Sequence, residues 1–162
     1  LERILVGGTT LRVVRETPCS VLIVRREPPE RRDTPPVYLV PLSLSESSLR
    51  ALEVAVELAS RFQAKVVTLT VIPPIRNKEE LLKLEEATRE RGRQVLERYP
   101  GVTHDVVVGH AAPEILRAIR EIHPEKVILG PRRKHSLVET ILGTTTERIV
   151  RDSETSVLVV RG

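Results

Sequence analysis

The sequence predicts an α/β fold, in which a parallel sheet of five strands carries helices on both faces. Short apolar runs alternate with amphipathic stretches, and this alternation is typical of right-handed βαβ units. The length of 162 residues suits one compact core. In addition, a segment near the N-terminus repeats the C-terminal segment, which predicts an extra N-terminal helix and strand outside the parallel sheet.

Five apolar runs predict the strands of the sheet. The first, residues 37–42 (VYLVPL), is continuous and therefore typical of a strand that is buried on both faces. The second, residues 65–72, is rich in β-branched residues and ends at Pro73 and Pro74. Further runs predict strands at residues 104–108, 126–129 and 156–160.

The stretches between these runs have helical periodicity. After Ser45 and Glu46, Leu49, Leu52 and Phe62 recur at helical spacing. The same pattern predicts helices at residues 77–98, 113–122 and 144–151. Ligands of such sheets bind outside the carboxyl ends of the strands. We therefore expect a binding site at residues 43–45, 71–74, 109–111 and 130–133.

An internal repeat defines the domain organisation. Segment 7–25 aligns without a gap on segment 143–161, and the residues with identical partners are Gly7, Thr9, Thr10, Arg12, Val14, Arg15, Ser20, Val21, Leu22, Val24 and Arg25. We interpret residues 1–26 as the C-terminal helix and strand of a truncated first copy, and residues 37–162 as a complete second copy. The prolines and charges of residues 27–36 predict a stiff linker between them.

The strand of the first copy, Ser20–Arg25, lacks the sheet of its own unit. An apolar strand with unpaired backbone groups must find an edge. We expect it to pair antiparallel with the edge strand at residues 156–161. This pairing is predicted either within the chain or between two chains, which would form a homodimer.

Composition excludes several classes of protein. Charged residues at 30% and apolar residues at 40% exclude disorder, and no apolar run is long enough to span a membrane, although a larger parent protein with a span stays open. The net charge of +4 is scattered and aromatic residues are only 2%, which argues against nucleic acid as a partner.

Cys19 is the only cysteine, which fits the cytoplasm. It stands at the position of Thr155 in the repeat, and we expect it to be a small buried side chain. The scarcity of aromatic residues and the absence of methionine suit a thermophile.

The loop after the fourth predicted strand carries the most specific motif. Gly130 follows the strand directly, and Gly143 with Thr144 opens a helix, so backbone N–H groups and a helix N-terminus are available to phosphate. In this loop the sequence resembles the universal stress protein family, whose signature is Gly, two residues, Gly, nine residues, and Gly with Ser or Thr. The resemblance extends through VPLSLSESSLRALEVA at the first strand and GHAAPEIL after the third.

The resemblance implies a flavodoxin-like sheet, of the adenine-nucleotide alpha-hydrolase type, with strand order 3-2-1-4-5. It also implies a regulatory role in the stress response and ATP as the ligand, with Mg²⁺ only as a companion of the nucleotide. The adenine is expected near the ends of the first two strands and the phosphates on the glycine loop. The residues that the resemblance assigns to this site are Leu42, Ser43, Val71, Gly130, Arg132, Arg133, Gly143, Thr144 and Thr145.

Two departures from the family pattern keep an alternative open. Ser43 stands where ATP-binding members carry an aspartate, and Arg133 stands at the second glycine of the signature. The alternative is a dimerisation or regulatory module without nucleotide, for example the cytoplasmic part of a transporter or sensor. No pattern of residues indicates a catalytic group or a metal site. If the protein is an enzyme, we therefore expect no more than a slow ATPase.

Overall fold

A computed structural model of the chain describes residues 6–25, 34–131 and 142–162. The helices are α1 (Gly8–Glu16), α2 (Glu46–Phe62), α3 (Lys78–Leu96), α4 (Ala111–Ile122) and α5 (Thr144–Asp152). The strands are β1 (Val21–Ile23), β2 (Val37–Pro41), β3 (Lys65–Ile72), β4 (Thr103–Val108), β5 (Lys126–Leu129) and β6 (Ser156–Val159). The predicted linker at residues 27–36 lies mostly outside the described residues.

All of these strands form one sheet in the order β1-β6-β5-β2-β3-β4. Neighbours from β4 to β6 are parallel. These five strands have the order that the family resemblance implies. The sheet nevertheless has six strands rather than five, because β1 joins its edge by pairing antiparallel with β6.

Two apolar layers cover the faces of the sheet, as predicted. On one face, α1, α4 and α5 bury side chains such as Ile115 and Ile149 against the strands. On the other face, α2 buries Leu52 and Ala55, and the end of α3 contributes Leu96. Successive side chains of a strand point to opposite faces of the sheet. In the central strand β2, Leu39 therefore packs in the first layer and Val40 in the second.

Local capping explains where the helices begin and end. The side chain of Asn77 accepts a hydrogen bond from the N–H of Glu79 at 2.9 Å, at the start of α3. Gln63 and His123 end α2 and α4 in the left-handed conformation, with φ of 52° and 49°. Helix α4 begins at Ala111, before the predicted start at residue 113.

The internal repeat is also a structural repeat. Helices α1 and α5 are both 9 residues long and begin and end at matching positions of the alignment. Gly7 and Gly143 precede them with extended backbones, φ −71° and ψ 165° against φ −66° and ψ 153°. The two segments therefore adopt the same local conformation in one chain.

One side chain departs from its expected environment. Cys19 is exposed, so the prediction of a buried filler is wrong. It lies in the turn between α1 and β1 at the edge of the sheet, where no further layer of the described structure covers it. Within the described ranges, no helix combines the length and the apolar character that crossing a bilayer needs.

Candidate functional site

A cavity of about 270 Å³ lies at the carboxyl ends of β2, β3 and β5, between α2, α4 and α5. The predicted site residues that line this cavity are Leu42, Ser43, Val71, Gly130, Gly143, Thr144 and Thr145. Arg132 and Arg133 lie outside the described residues. The fold thus brings three separate loops of the sequence to one place, because the carboxyl ends of parallel strands share one edge of the sheet.

Two helix N-termini open onto the cavity. Gly143, Thr144 and Thr145 form the start of α5, and no side chain among the described residues caps that helix. Within the described structure, its first-turn N–H groups are therefore available to a ligand. Ser45 and Ser48 lie at the start of α2. Both helices direct the positive ends of their dipoles towards the cavity, which favours a negatively charged group.

Serine hydroxyls form the polar wall beside α2. The Oγ atoms of Ser43 and Ser45 are 2.9 Å apart, and Ser43 Oγ donates to Ser48 Oγ at 3.3 Å. Ser48 Oγ also donates to the carbonyl oxygen of Ser45 at 2.9 Å. Between them, Leu44 adopts a φ of 60°, an uncommon left-handed conformation for a bulky residue. This backbone reversal brings Ser43 and Ser45 together.

Ser48 and the left-handed conformation of Leu44 were not predicted from the sequence. The repeated serines after the first strand were a usable signal, since Ser45 caps the helix and Ser48 falls within its first turn. Nothing in the sequence indicated the left-handed conformation of Leu44, because residues with this conformation are normally Gly, Asn or Asp.

The two glycines of the motif have different physical roles. A Cβ at Gly130 would overlap the backbone carbonyl group of Ser47, so glycine is required for β5 to approach the start of α2. A Cβ at Gly143 would meet nothing within 4 Å among the described residues. Packing within the described structure therefore explains Gly130 but not Gly143.

The remaining wall of the cavity is apolar. It consists of Pro41, Leu42, Leu69, Val71, Ala111, Ile115, Leu129 and Ile149. The hydroxyl of Thr70 donates to the carbonyl oxygen of Leu42 at 2.6 Å and fixes the ends of β2 and β3 relative to each other. The described lining residues carry no charged side chain, so anion binding there depends on N–H groups, hydroxyls and helix dipoles.

Metal ligation finds no support in the described part of the chain, where no group of three or more His, Cys, Asp or Glu side chains is placed to hold an ion. His110 precedes α4 as its N-cap residue without capping it through its side chain. His135 lies outside the described residues.

His104 is a residue of β4, and its side chain lies away from the cavity, between β4 and α3. Its Nδ1 is 2.8 Å from Thr68 Oγ1, whose hydroxyl donates to the carbonyl oxygen of Thr103 at 2.9 Å. Nδ1 is thus the ring nitrogen with a hydrogen-bond partner, whereas Nε2 is buried without a partner among the described residues. Burial lowers the pKa of His104 and nearby Arg89 lowers it further, while Asp105 acts in the opposite direction.

Comparison with known proteins agrees with this fold. The model of the universal stress protein family matches residues 38–161. Universal stress protein MJ0531 of Methanocaldococcus jannaschii is 24% identical over 138 residues, which are 76% of this chain and 80% of that protein.

Solved structures show the same fold. A putative universal stress protein from Pseudomonas aeruginosa UCBPP-PA14 superposes with a TM-score of 0.74 at 20% identity, covering 97% of this chain and 57% of that one. A universal stress protein crystallised in complex with cAMP superposes with a TM-score of 0.61 at 22% identity, covering 78% of this chain and 97% of that one.

Proposed function

Because the chain belongs to the universal stress protein family, we propose that its cavity binds an adenine nucleotide and that the domain is a regulatory binding module. The observation that carries this proposal is the convergence of the α2 and α5 N-termini on one cavity of about 270 Å³. Such a cavity offers an apolar wall for a base and N–H donors for a phosphate. A cytoplasmic location and a role in the stress response belong to the same proposal.

The phosphate is assigned to the start of α5. Among the described residues, nothing lies within 4 Å of the Cβ position of Gly143, beside the uncapped N–H groups, which lets an oxygen approach the backbone closely. Thr144 and Thr145 line the same part of the cavity and carry hydroxyls that hydrogen-bond to phosphate. Arg132 and Arg133 lie outside the described residues and enter the proposal only through the family resemblance, as guanidinium groups suited to phosphate.

The base and sugar are assigned to the opposite wall. Leu42 and Val71 provide an apolar surface, and Ser43 offers a hydroxyl as hydrogen-bond partner. The crystal structure of a universal stress protein with cAMP supports an adenine nucleotide as the ligand class, and ATP is the member that the family resemblance implies. Mg²⁺ enters this proposal only as a companion of the nucleotide, since the described lining residues carry no carboxylate.

Thermal denaturation tests the proposal. ATP, AMP, cAMP and inorganic phosphate are added separately to the full chain, and the melting temperature is measured against nucleotide concentration. We expect a rise with at least one adenine nucleotide and no rise in Gly143→Asp, because the new carboxylate would occupy and repel the phosphate position.

Gly7→Asp is the matched control. Gly7 precedes α1 with a similar backbone conformation, and its Cβ position likewise meets no described residue within 4 Å, but Gly7 does not line the cavity. Aspartate is a favourable N-cap in both variants, so both are expected to fold. A nucleotide response that survives Gly143→Asp, or the absence of any response in the unmodified chain, would refute the proposal.

A second candidate function is an interaction module without nucleotide. The mutual hydrogen bonds of Ser43, Ser45 and Ser48 favour it, because these hydroxyls already have partners within the protein. Under this alternative the nucleotides leave the melting temperature unchanged. The β1–β6 edge of the sheet, rather than the cavity, would then carry the function.

A further inference from the structure

An ion pair joins the N-terminal helix α1 to the first turn of α5. Arg15, near the end of α1, contacts one carboxylate oxygen of Glu147: its Nε donates to Oε1 at 2.8 Å, and its Nη2 lies 2.6 Å from the same oxygen. The Arg15 side chain is half-exposed, whereas the Glu147 side chain is only 20% exposed. Two residues that are 132 positions apart in the sequence thus meet at the start of α5.

Glu147 belongs to the helical turn whose N–H groups are assigned to the phosphate. Its backbone N–H donates to the carbonyl oxygen of Gly143 at 3.0 Å, and about 6 Å of helix axis separates these two residues. Thr144, Thr145 and Thr146 line the cavity, whereas Glu147 does not. The Glu147 carboxylate is therefore a neighbour of the phosphate position and not a part of the cavity wall.

A carboxylate at this place opposes the binding of an anion. It interacts favourably with the positive end of the α5 dipole, as a phosphate would, and it repels that phosphate. The guanidinium group of Arg15 stays charged at any ordinary pH and neutralises the carboxylate at contact distance. Because the described lining residues carry no charged side chain, a charge directly beside the cavity changes the electrostatic potential at the phosphate position.

The internal repeat shows that this ion pair is particular to α5. In the alignment of residues 7–25 with residues 143–161, Leu11 matches Glu147 and Arg151 matches Arg15. Leu11 is buried in the apolar layer beneath α1, so the equivalent ion pair cannot form at the start of α1. The pair therefore occurs at the helix whose N-terminus opens onto the cavity and has no counterpart at the other.

The position of Arg15 depends on the packing of α1 against the edge of the sheet. Arg161, which follows β6, donates through Nη2 to the carbonyl oxygen of Arg15 at 3.2 Å. The preceding residue, Val14, is fully buried in the same apolar layer as Ile149 of α5. Arg15 consequently reaches Glu147 only while α1 is packed against α5.

We propose that Arg15 sets the affinity of the nucleotide site by neutralising Glu147, so that the packed N-terminal helix is a regulatory element of that site. This inference rests on the proposed function, because it requires that the cavity bind an adenine nucleotide. Arg15 acts through Glu147 and does not touch the ligand. Release of α1 from α5 weakens nucleotide binding, and by thermodynamic linkage a bound nucleotide holds α1 more firmly in place.

Calorimetric titration of the full chain with ATP, AMP and cAMP, whose negative charge decreases in that order, tests the inference. In Arg15→Gln we expect the dissociation constant of ATP to rise about 3- to 10-fold and those of AMP and cAMP to rise progressively less, because repulsion by Glu147 increases with the charge of the ligand. The double variant Arg15→Gln, Glu147→Gln should recover the affinity of the unmodified chain, because the carboxylate that Arg15 neutralises is then gone.

Arg12→Gln is the matched control. It removes the same charge from the same helix, but Arg12 pairs with Glu16 of α1 at 2.9 Å rather than with α5, so the dissociation constants should not change. The side chains of Arg12 and Arg15 are 76% and 52% exposed, and both variants are therefore expected to fold.

The outcomes separate this inference from the proposed function. An unchanged ATP affinity in Arg15→Gln, an equal loss for ligands of different charge, or a loss that Glu147→Gln does not reverse would overturn the role of Arg15 and leave the proposed function intact. If the unmodified chain binds none of the three nucleotides, the proposed function is refuted and this inference falls with it.

Discussion

Leu22 of β1 lies directly opposite Leu158 of β6, and each residue is the match of the other in the internal repeat. An approximate twofold axis between these two side chains therefore relates the two segments of the repeat, residues 7–25 and 143–161. The contacts around it are accordingly reciprocal: Arg25 Nη2 donates to the carbonyl oxygens of Val150 and Arg151, and Arg161 Nη2 donates to those of Val14 and Arg15. Each arginine thus binds the C-terminal end of the opposite helix.

Replacing either arginine should destabilise the fold by a similar amount. In Arg25→Ala and Arg161→Ala, carbonyl groups in the last turn of α5 or α1 lose a charged donor that also complements the helix dipole. We expect each variant to lose about 1–3 kcal/mol of unfolding free energy, measured by urea denaturation. Arg12→Ala is the control, because Arg12 pairs with Glu16 in an exposed ion pair and should change stability by about 0.5 kcal/mol or less. Unequal losses would contradict the symmetry.

The two motif glycines should respond differently to alanine. Gly130→Ala introduces a Cβ into the backbone carbonyl of Ser47, and we expect a loss of about 2–3 kcal/mol or more. The new Cβ in Gly143→Ala meets nothing within 4 Å among the described residues, so this variant should leave the free energy of unfolding nearly unchanged. Urea denaturation of both variants checks the pair. A stable Gly130→Ala protein would show that the close approach of β5 to α2 is wrong.

Stability should depend on pH through His104. Its pKa in the folded protein is lowered, chiefly by burial, from an ordinary value of 6.5. The unfolded chain therefore binds the proton more readily, and the free energy of unfolding should fall as the pH falls from about 6.5 through the folded pKa. Above that range this contribution is fully present.

The contact with α3 gives this pH dependence a structural cause. The His104 ring packs against Gly92, where a Cβ would overlap it, so a proton on Nε2 finds no acceptor there. His104→Gln should reduce the loss of stability between pH 7 and pH 5, whereas His110→Gln, at an exposed position outside this contact, should not. Equal slopes of unfolding free energy against pH in all three proteins would contradict the assignment.

Periodicity predicts most of this fold because it reports burial. The continuous run at residues 37–42 becomes the central strand β2, and the helical spacing around Leu52 becomes the buried face of α2. The motif at Gly130 and Gly143 locates the cavity for a different reason: loops at the carboxyl ends of parallel strands meet at one edge of the sheet.

Other features depend on tertiary contacts that one sequence does not display. The role of Gly130 depends on its distance from Ser47, and the left-handed Leu44 is imposed by the tight connection between β2 and α2. The exposure of Cys19 follows from its place at the edge of the sheet, although its match Thr155 is partly buried. In each case the feature depends on the three-dimensional surroundings of the residue or on its backbone conformation, and neither is visible in the periodicity of the sequence.

Removing residues 1–26 should expose an edge that pairs with itself. Without β1, the N–H and C=O groups on the outer edge of β6 lose their partners, while β5 still pairs with the inner edge, and Val157 and Val159 lose part of their cover. Because the contacts of the intact chain are related by an approximate twofold axis, β6 strands from two chains can occupy the same arrangement with the two Leu158 residues on the axis. We therefore expect a homodimer by light scattering, with a melting temperature that rises with protein concentration.

Leu158→Asp in the shortened chain should return it to a monomer by placing two carboxylates opposite each other. A shortened chain that remains monomeric with the melting temperature of the full chain would contradict this role of the N-terminal helix and strand.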